Sequence, residues 1–172
     1  MQWARWIRKY ISHGLGHDSC CPRLAGRSGR VLANFYEHDP KADSFGLEAA
    51  EKLGVPPERV SKTLVAQLEG KQLVLGVLPV TARLDLKKLA ATVGGKKAEL
   101  ADPGKAERAT GYVVGGISPL GGRKKLPTLV DGSVLGHETV FVSAGQRGMQ
   151  VELSPGDLVR LTEAAVADLA AN

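Results

Sequence analysis

Two segments hold the residues whose types and spacing could do chemistry. Lys62 and Thr63 stand at the mouth of an apolar run, Val60-Ser61-Lys62-Thr63-Leu64-Val65-Ala66. A lysine ammonium is a compact charge with three donors, suited to a phosphate or to sugar hydroxyls. A solvated lysine at a strand end has the same local sequence. Further on, Thr110 to Lys125 reads as a β-type run, Tyr112–Val114, that empties into a glycine-rich, proline-stopped loop followed by Arg123, Lys124 and Lys125. Gly115 and Gly116 carry no Cβ, so a ligand or another backbone can come close to their N–H groups, and Pro119 fixes the exit of the loop. A plain hairpin or bulge is the other reading of that pattern.

The chain lacks the usual equipment for covalent or metal-assisted hydrolysis. There is no Gly-x-Ser-x-Gly elbow, no His-Glu-x-x-His helix and no evident Ser-His-Asp set. His13, His17, Cys20 and Cys21 cluster near the start, but adjacent cysteines rarely share one ion, and the C-x₂₋₄-C spacing of structural zinc sites is missing. Free thiols in a reducing compartment are the expected state, with no metal bound. His38 and His137 have no ligating neighbour in sequence.

At 172 residues the chain is one domain, or one domain with an appendage. Its 21 glycines exceed the usual ~7% and point to a globular fold with many turns. A net charge of +5 makes polyanions suitable partners. No apolar run approaches the ~20 residues that span a bilayer, and no long uncharged signal core opens the chain, so no membrane partner and a cytoplasmic location are expected. Residues 1–30 read differently from the rest. Trp3, Trp6, Ile7 and Tyr10 have helical spacing with Arg5, Arg8 and Lys9 opposite, and the pattern then dissolves into Gly, Ser, Arg and Pro. Disorder and a basic amphipathic helix are both open for that segment.

The body alternates elements. Val31–Tyr36 reads as a strand; Ser44 caps a short helix, Gly46–Leu53; Lys62–Leu68 and Gln72–Leu78 are strands around Glu69-Gly70-Lys71. Leu84, Leu86, Leu89, Ala90 and Val93 form the apolar face of a helix, and Asp102-Pro103 starts another that ends near Gly111. Strands follow at Tyr112–Val114, Thr128–Val130, Thr139–Ser143 and Met149–Leu153, and Ser154-Pro155 opens a last helix that buries Leu158, Leu161 and Ala165. This pattern predicts a mixed α/β, or α+β, domain with a compact, largely antiparallel or mixed sheet core and short flanking helices.

Tyr36-Glu37-His38-Asp39-Pro40, Lys62-Thr63-Leu64, Leu84 through Ala90, Ala101-Asp102-Pro103, Thr110 through Gly122, Leu126-Pro127-Thr128 and Val142-Ser143-Ala144-Gly145 occur in that order. Together they resemble the YbaK/EbsC family of freestanding aminoacyl-tRNA editing proteins, in particular the bacterial Cys-tRNA(Pro) deacylases. The resemblance runs from about Phe35 to the C-terminus and makes 31–172 the editing domain. It implies hydrolysis of mischarged tRNA without a cofactor, in which the sulfur of the wrongly attached cysteine attacks its own ester carbonyl while the enzyme binds and orients; a deacylase for Ala-tRNA(Pro) or another small aminoacyl-tRNA, and a noncatalytic tRNA- or synthetase-binding module, are the alternative readings.

In that scheme Lys62 is the critical residue, at the terminal adenosine, and Gly115 joins it as a catalytic position. Backbone N–H groups from Gly115, Gly116, Ile117, Ser118 and Pro119's neighbourhood face the carbonyl oxygen that becomes negative. Tyr36, Thr63 and Ser143 map onto other pocket positions. At Gln150 several relatives have Asp; a carboxamide would hold the substrate α-ammonium more weakly than a carboxylate. Arg123, Lys124, Lys125 and the Lys96-Lys97 pair are candidate contacts to tRNA phosphates, since aromatic content is only 5% and no base-stacking pattern is present. The implied partners are tRNA(Pro) and, transiently, prolyl-tRNA synthetase.

Overall fold

A computed structural model describes residues 31–171. The expectations for residues 1–30, including the Trp3–Tyr10 helix and the His13, His17, Cys20 and Cys21 cluster, lie outside the described residues. The strands are β1 (Leu32–Phe35), β2 (Val60–Leu68), β3 (Leu73–Pro79), β4 (Ala98–Leu100), β5 (Thr128–Asp131), β6 (Val140–Ser143), β7 (Met149–Leu153) and β8 (Ala165–Ala167). The helices are α1 (Phe45–Leu53), α2 (Leu86–Thr92), α3 (Pro103–Thr110) and α4 (Pro155–Thr162), with short 3₁₀ turns between some elements.

One mixed sheet runs β1-β7-β6-β2-β3-β5-β8, with β4 added to the far end of β2. The antiparallel pairs are β1·β7, β6·β7, β2·β3 and β2·β4; β2·β6, β3·β5 and β5·β8 are parallel. The mixed sheet with flanking helices is as the sequence predicts. Val77, Val130, Val142, Met149, Leu153 and Leu158 form the largest core cluster, and Leu89, Val74, Leu129 and Leu169 a second beneath α2.

The helix starts follow from local chemistry. Ser44, Asp85, Asp102 and Ser154 each accept a backbone N–H of the following turn, and Pro103 and Pro155 occupy first-turn positions where no donor is missed. Gly54 and Gly111 close α1 and α3 in the left-handed region.

Four expectations are corrected. Tyr112–Val114 is not a strand: Tyr112 is buried, its hydroxyl donates to Leu120 O at 2.8 Å, and the segment turns at once. Its β-type residues serve packing, not a ladder. Helix α2 begins at Leu86 because Asp85 caps it, leaving Leu84 to bridge Ala170 instead. Ala165 is not on the buried side of α4, which ends at Thr162; it is exposed in β8, a strand too short to be read from periodicity. The three-residue β4 was missed for the same reason.

Asp131 ties the C-terminal segment down. Its Oδ2 accepts from Leu169 N at 2.7 Å and Ala170 N at 3.0 Å, and its Oδ1 from Ser133 N at 3.0 Å and from Ser133 Oγ. Burial pushes its pKa up, but the Ser133 hydroxyl and the three backbone N–H groups outweigh that and leave it below the usual carboxylate value. A folded-state pKa below the unfolded one adds stability that is present above the unfolded pKa and lost as pH falls through the folded one. Asp131→Ala strands buried donors, each worth about 1–3 kcal/mol, so urea unfolding at neutral pH should show a loss of about 2–5 kcal/mol. The gap between variant and wild type should narrow in acid.

Candidate active site at the open edge of strand β2

Strand β2 has a neighbour on both sides except at one place. Strand β6 pairs with Val60 and Ser61, β4 pairs with Ala66 to Leu68, and Ala101 N donates to Val65 O at 2.9 Å. Among the described residues, no strand therefore pairs with 62–64 on that edge. Val60 O and Leu68 N bond toward β3, so the even-numbered residues of β2 spend their backbone groups there. Thr63 consequently turns its N–H and C=O into the gap.

A cavity of about 420 Å³ occupies this place, walled by β2 from Val60 to Val65, the start of α1 at Ser44–Gly46, the start of α3, the Val114–Ile117 loop, Ser143 and Gln150. It gathers Lys62, Thr63, Gly115, Ile117, Ser143 and Gln150 from the residues predicted by sequence. Tyr36 stands behind Gln150. Its phenol pKa is raised by burial first and then by the Glu48 charge, against the lowering effect of hydrogen bonds from Gln150 and the Gly148 backbone.

Lys62 Nζ donates to Val80 O at 3.2 Å and has no carboxylate partner among the described residues. Burial, and then the charge of Arg83, hold its pKa below the usual lysine value. A half-buried ammonium with a second cation nearby gains from any anion that enters.

Four buried side-chain polar atoms have no partner among the described residues, and three of them, Ser61 Oγ, Thr63 Oγ1 and Gln150 Oε1, belong to residues that line the cavity; the fourth is His38 Nε2. An orphaned buried polar atom costs about 1–3 kcal/mol, so the fold concentrates unmet hydrogen-bonding capacity here.

The glycine loop divides its residues between two places. Gly115 and Ile117 line the cavity, whereas Ser118 and Pro119 line a second hollow of about 470 Å³ behind the loop, with Lys124 and Lys125. Ser118 Oγ accepts from Leu120 N at 3.1 Å. Gly116 is needed for close packing: a Cβ would meet the Gln146 backbone at 2.9 Å. Its N–H is taken by Val113 O at 2.9 Å and its carbonyl by Ser143 Oγ at 2.8 Å. Gly115 N–H has no acceptor among the described residues. Of the predicted cations, Lys125 is paired with Glu163 at 2.5 Å, and Arg123 lies over Gly111.

Three residues escaped the sequence reading. Phe45 fills the space that a Cβ on Gly115 would need, its ring atoms 2.7 to 2.9 Å from that point. Arg147 lies 4.6 Å over the Phe45 ring and donates to Val114 O from Nε at 3.2 Å and Nη2 at 2.9 Å. Buried Glu48 bonds His38 Nδ1 at 2.8 Å and Asp39 N at 2.5 Å, so His38 has a partner ten residues away that spacing did not suggest. Among the described residues no three His, Cys, Asp or Glu side chains gather as a metal site. None of the described helices is long and apolar enough to cross a membrane.

A family model described as the aminoacyl-tRNA editing domain matches residues 39–161. The chain belongs to this family. It is 39% identical over 135 residues to EbsC of Enterococcus faecalis, provisionally named a Cys-tRNA(Pro)/Cys-tRNA(Cys) deacylase, a match covering 78% of this chain and 82% of that one. It is 31% identical over 107 residues to the multifunctional Ser/Thr-tRNA deacylase ProXp-y of Escherichia coli, covering 60% and 64%. A crystal structure of a provisionally assigned trans-editing enzyme for prolyl tRNA synthetase superposes with a TM-score of 0.77 at 27% identity, covering 98% and 97%. The cavity lies within the segment that the editing-domain model matches.

The position of Lys62 gives a direct test. An NMR titration of its ε-carbon should place the pKa below that of an ordinary lysine, and Arg83→Gln should move it up; an unperturbed value in both proteins would contradict the electrostatic picture.

Proposed function

We propose that the protein is a trans-editing aminoacyl-tRNA deacylase whose substrate is Cys-tRNA(Pro), with residues 31–172 as the editing domain. The observation that carries this reading is one cavity holding a lysine without a carboxylate partner among the described residues and the unclaimed Gly115 N–H, lined by no thiol and by no serine or threonine hydroxyl hydrogen-bonded to a base that could attack an ester. Such a site suits a substrate that brings its own nucleophile. A cysteine thiol has a pKa of about 8.5 and is partly ionised near neutral pH. Held against its own ester carbonyl, the thiolate forms a C–S bond, and the C–O bond to the ribose then breaks. The ribose oxygen takes up a proton and leaves on the tRNA, and water opens the strained thiolactone. Proximity replaces a protein nucleophile.

In this reading Lys62 binds the terminal nucleotide through its phosphate or ribose hydroxyls, and Gly115 N–H faces the developing oxyanion. Thr63, Ile117, Ser143 and Gln150 shape the acyl pocket, backed by Tyr36. Gly116, Ser118 and Pro119 support the loop from behind instead of touching the acyl group. Arg123, Lys124 and Lys125 meet tRNA phosphates at the loop's outer side. Selection among tRNAs needs more contacts than this small domain offers, which favours a transient complex with prolyl-tRNA synthetase in the cytoplasm.

A second acyl class is favoured by a specific observation. The buried oxygens of Ser61, Thr63 and Gln150 can meet a hydroxyl as well as a thiol, so seryl and threonyl esters are the alternative, and one relative is named for them. The test is release of amino acid from Cys-, Ser-, Ala- and Pro-tRNA(Pro), with Lys62→Ala as control. Loss of cysteine alone, at least about 100-fold slower in Lys62→Ala, supports the proposal. Hydrolysis of seryl ester at a similar rate shifts the substrate class, because serine is the poorer internal nucleophile and the water must then be activated otherwise. No turnover by a folded protein, with tRNA still bound, leaves a binding module.

For the cationic segment, neutralising Arg123, Lys124 and Lys125 together should make log K against log salt shallower by about 2–3, near one unit of slope for each phosphate no longer neutralised. An unchanged slope removes this segment from the RNA interface.

A further inference from the structure

The loop that carries Gly115 belongs to no strand or helix, so something else must decide which way its N–H groups point. Gly116 N donates to Val113 O at 2.9 Å, closing a four-residue turn, Val113-Val114-Gly115-Gly116. Gly115 has φ +87°, and Val114 is not among the described non-glycine residues with positive φ. Negative φ at the second position and positive φ at the third define a type II turn. The type I alternative uses the same four residues and the same closing bond, and it differs by a half-turn of the central peptide, Val114 to Gly115. With glycine at the third position both forms are sterically open, so the turn itself does not fix that peptide.

Arg147 does. Its Nε and Nη2 both reach Val114 O, at 3.2 and 2.9 Å, and its guanidinium carbon lies 4.6 Å from the centroid of the Phe45 ring, a cation–π contact that holds the group at the rim. A planar fork with two donors on one carbonyl fixes direction better than a single bond. From the other side, Val114 N donates to Glu107 Oε1 at 2.9 Å, so the peptide before the central one is held as well. In a trans peptide the carbonyl and the next N–H point in opposite directions. Pulling Val114 O toward Arg147 therefore sends Gly115 N–H the other way, where it has no acceptor among the described residues. A half-turn of the peptide would put the carbonyl oxygen where the donor now stands, replacing attraction for an oxyanion with repulsion.

We propose that Arg147 is a positioning residue: by gripping Val114 O it locks the turn in its type II form and presents Gly115 N–H to the cavity as the oxyanion donor. This inference rests on the deacylase reading for its catalytic consequence, but its structural half stands apart from that reading. Arg147 does not touch the reacting atoms. It acts through one peptide plane, and Phe45 serves it as a platform, which also explains why the ring lies where a Cβ on Gly115 would be.

The experiment uses the full chain as wild type, Arg147→Ala and Arg147→Lys. Three quantities are measured: kcat and KM on the best aminoacyl-tRNA substrate, the thermal midpoint, and the ¹H–¹⁵N signal of Gly115. Arg147→Ala should lower kcat about 10–100-fold, less than outright deletion of an oxyanion donor because the correct peptide orientation remains partly populated. KM should change no more than about 2-fold, since ground-state binding does not use the oxyanion contact. The Gly115 signal should move while signals of the sheet stay in place. Millimolar guanidinium should restore part of kcat in Arg147→Ala, and Arg147→Lys, with a single charge and no planar fork, should fall between the two. A fall in kcat matched by loss of folded protein in both variants, or a rise in KM alone, would overturn the proposal. If wild type cleaves none of the esters, the deacylase reading fails separately. The Gly115 signal then still decides the structural half, and an unmoved signal in Arg147→Ala refutes it.

Discussion

Strand β2 is paired along the whole of one edge and only at the two ends of the other. Between Ser61, which β6 reaches, and Val65, which Ala101 reaches, no strand of the described residues pairs with that edge for three residues. Backbone amides in that position would normally be filled by another strand or by water. Here the surrounding elements stand back from them, and the cavity is the space they leave. Lys62 at the near side of the opening, the glycine loop across from it and Gln150 on β7 all take their places relative to this interruption. A continuous β6–β2 ladder would give a more stable sheet and close the site.

Around the opening, polar capacity is spent unevenly. Asp131, at the far end of the sheet, satisfies four donors with one carboxylate. Ser61, Thr63 and Gln150 satisfy none with the atoms that face inward. Stability is stored at one end of the domain and given up at the other, an arrangement expected where a surface must meet a ligand and not itself. Loop positions behave in the same way. Gly116 has both backbone groups engaged and its Cβ position filled by neighbours, while the N–H of Gly115 beside it has no acceptor among the described residues.

Much of this was legible in the sequence, for physical reasons that can be named. Helix starts were readable because Ser44, Asp102 and Ser154 act on donors two or three residues away. That Lys62, Thr63, Gly115 and Ser143 gather in one cavity was readable because ordered motifs carried them. What sequence missed depends on contacts between distant segments. Arg147 sits in a glycine-flanked turn like any solvated arginine, and its reach to Val114 exists only once β6 and β7 bring that turn to the loop. Glu48 looks like a polar position on an amphipathic helix, yet it is buried against His38. Tyr112–Val114 has strand-forming residues without a partner strand, so tertiary packing of Tyr112 overrides their preference. That Ser118 and Pro119 line the second hollow was not readable, because a motif gives order along the chain and not the face each residue presents.

The strand order has a consequence for how the chain comes to be folded. Strand β1 lies against β7, and β2 against β6, so the first strands of the described chain find their neighbours nearly at its end. Gln150, which lines the cavity, and Arg147, bonded to the Val114 carbonyl at its rim, belong to that same late stretch. An N-terminal stretch emerging during synthesis can form the β2–β3 hairpin, but it has nothing to build the cavity's third wall from. The walls of the cavity therefore come together through pairings of high contact order, formed after nearly the whole of the described chain is available.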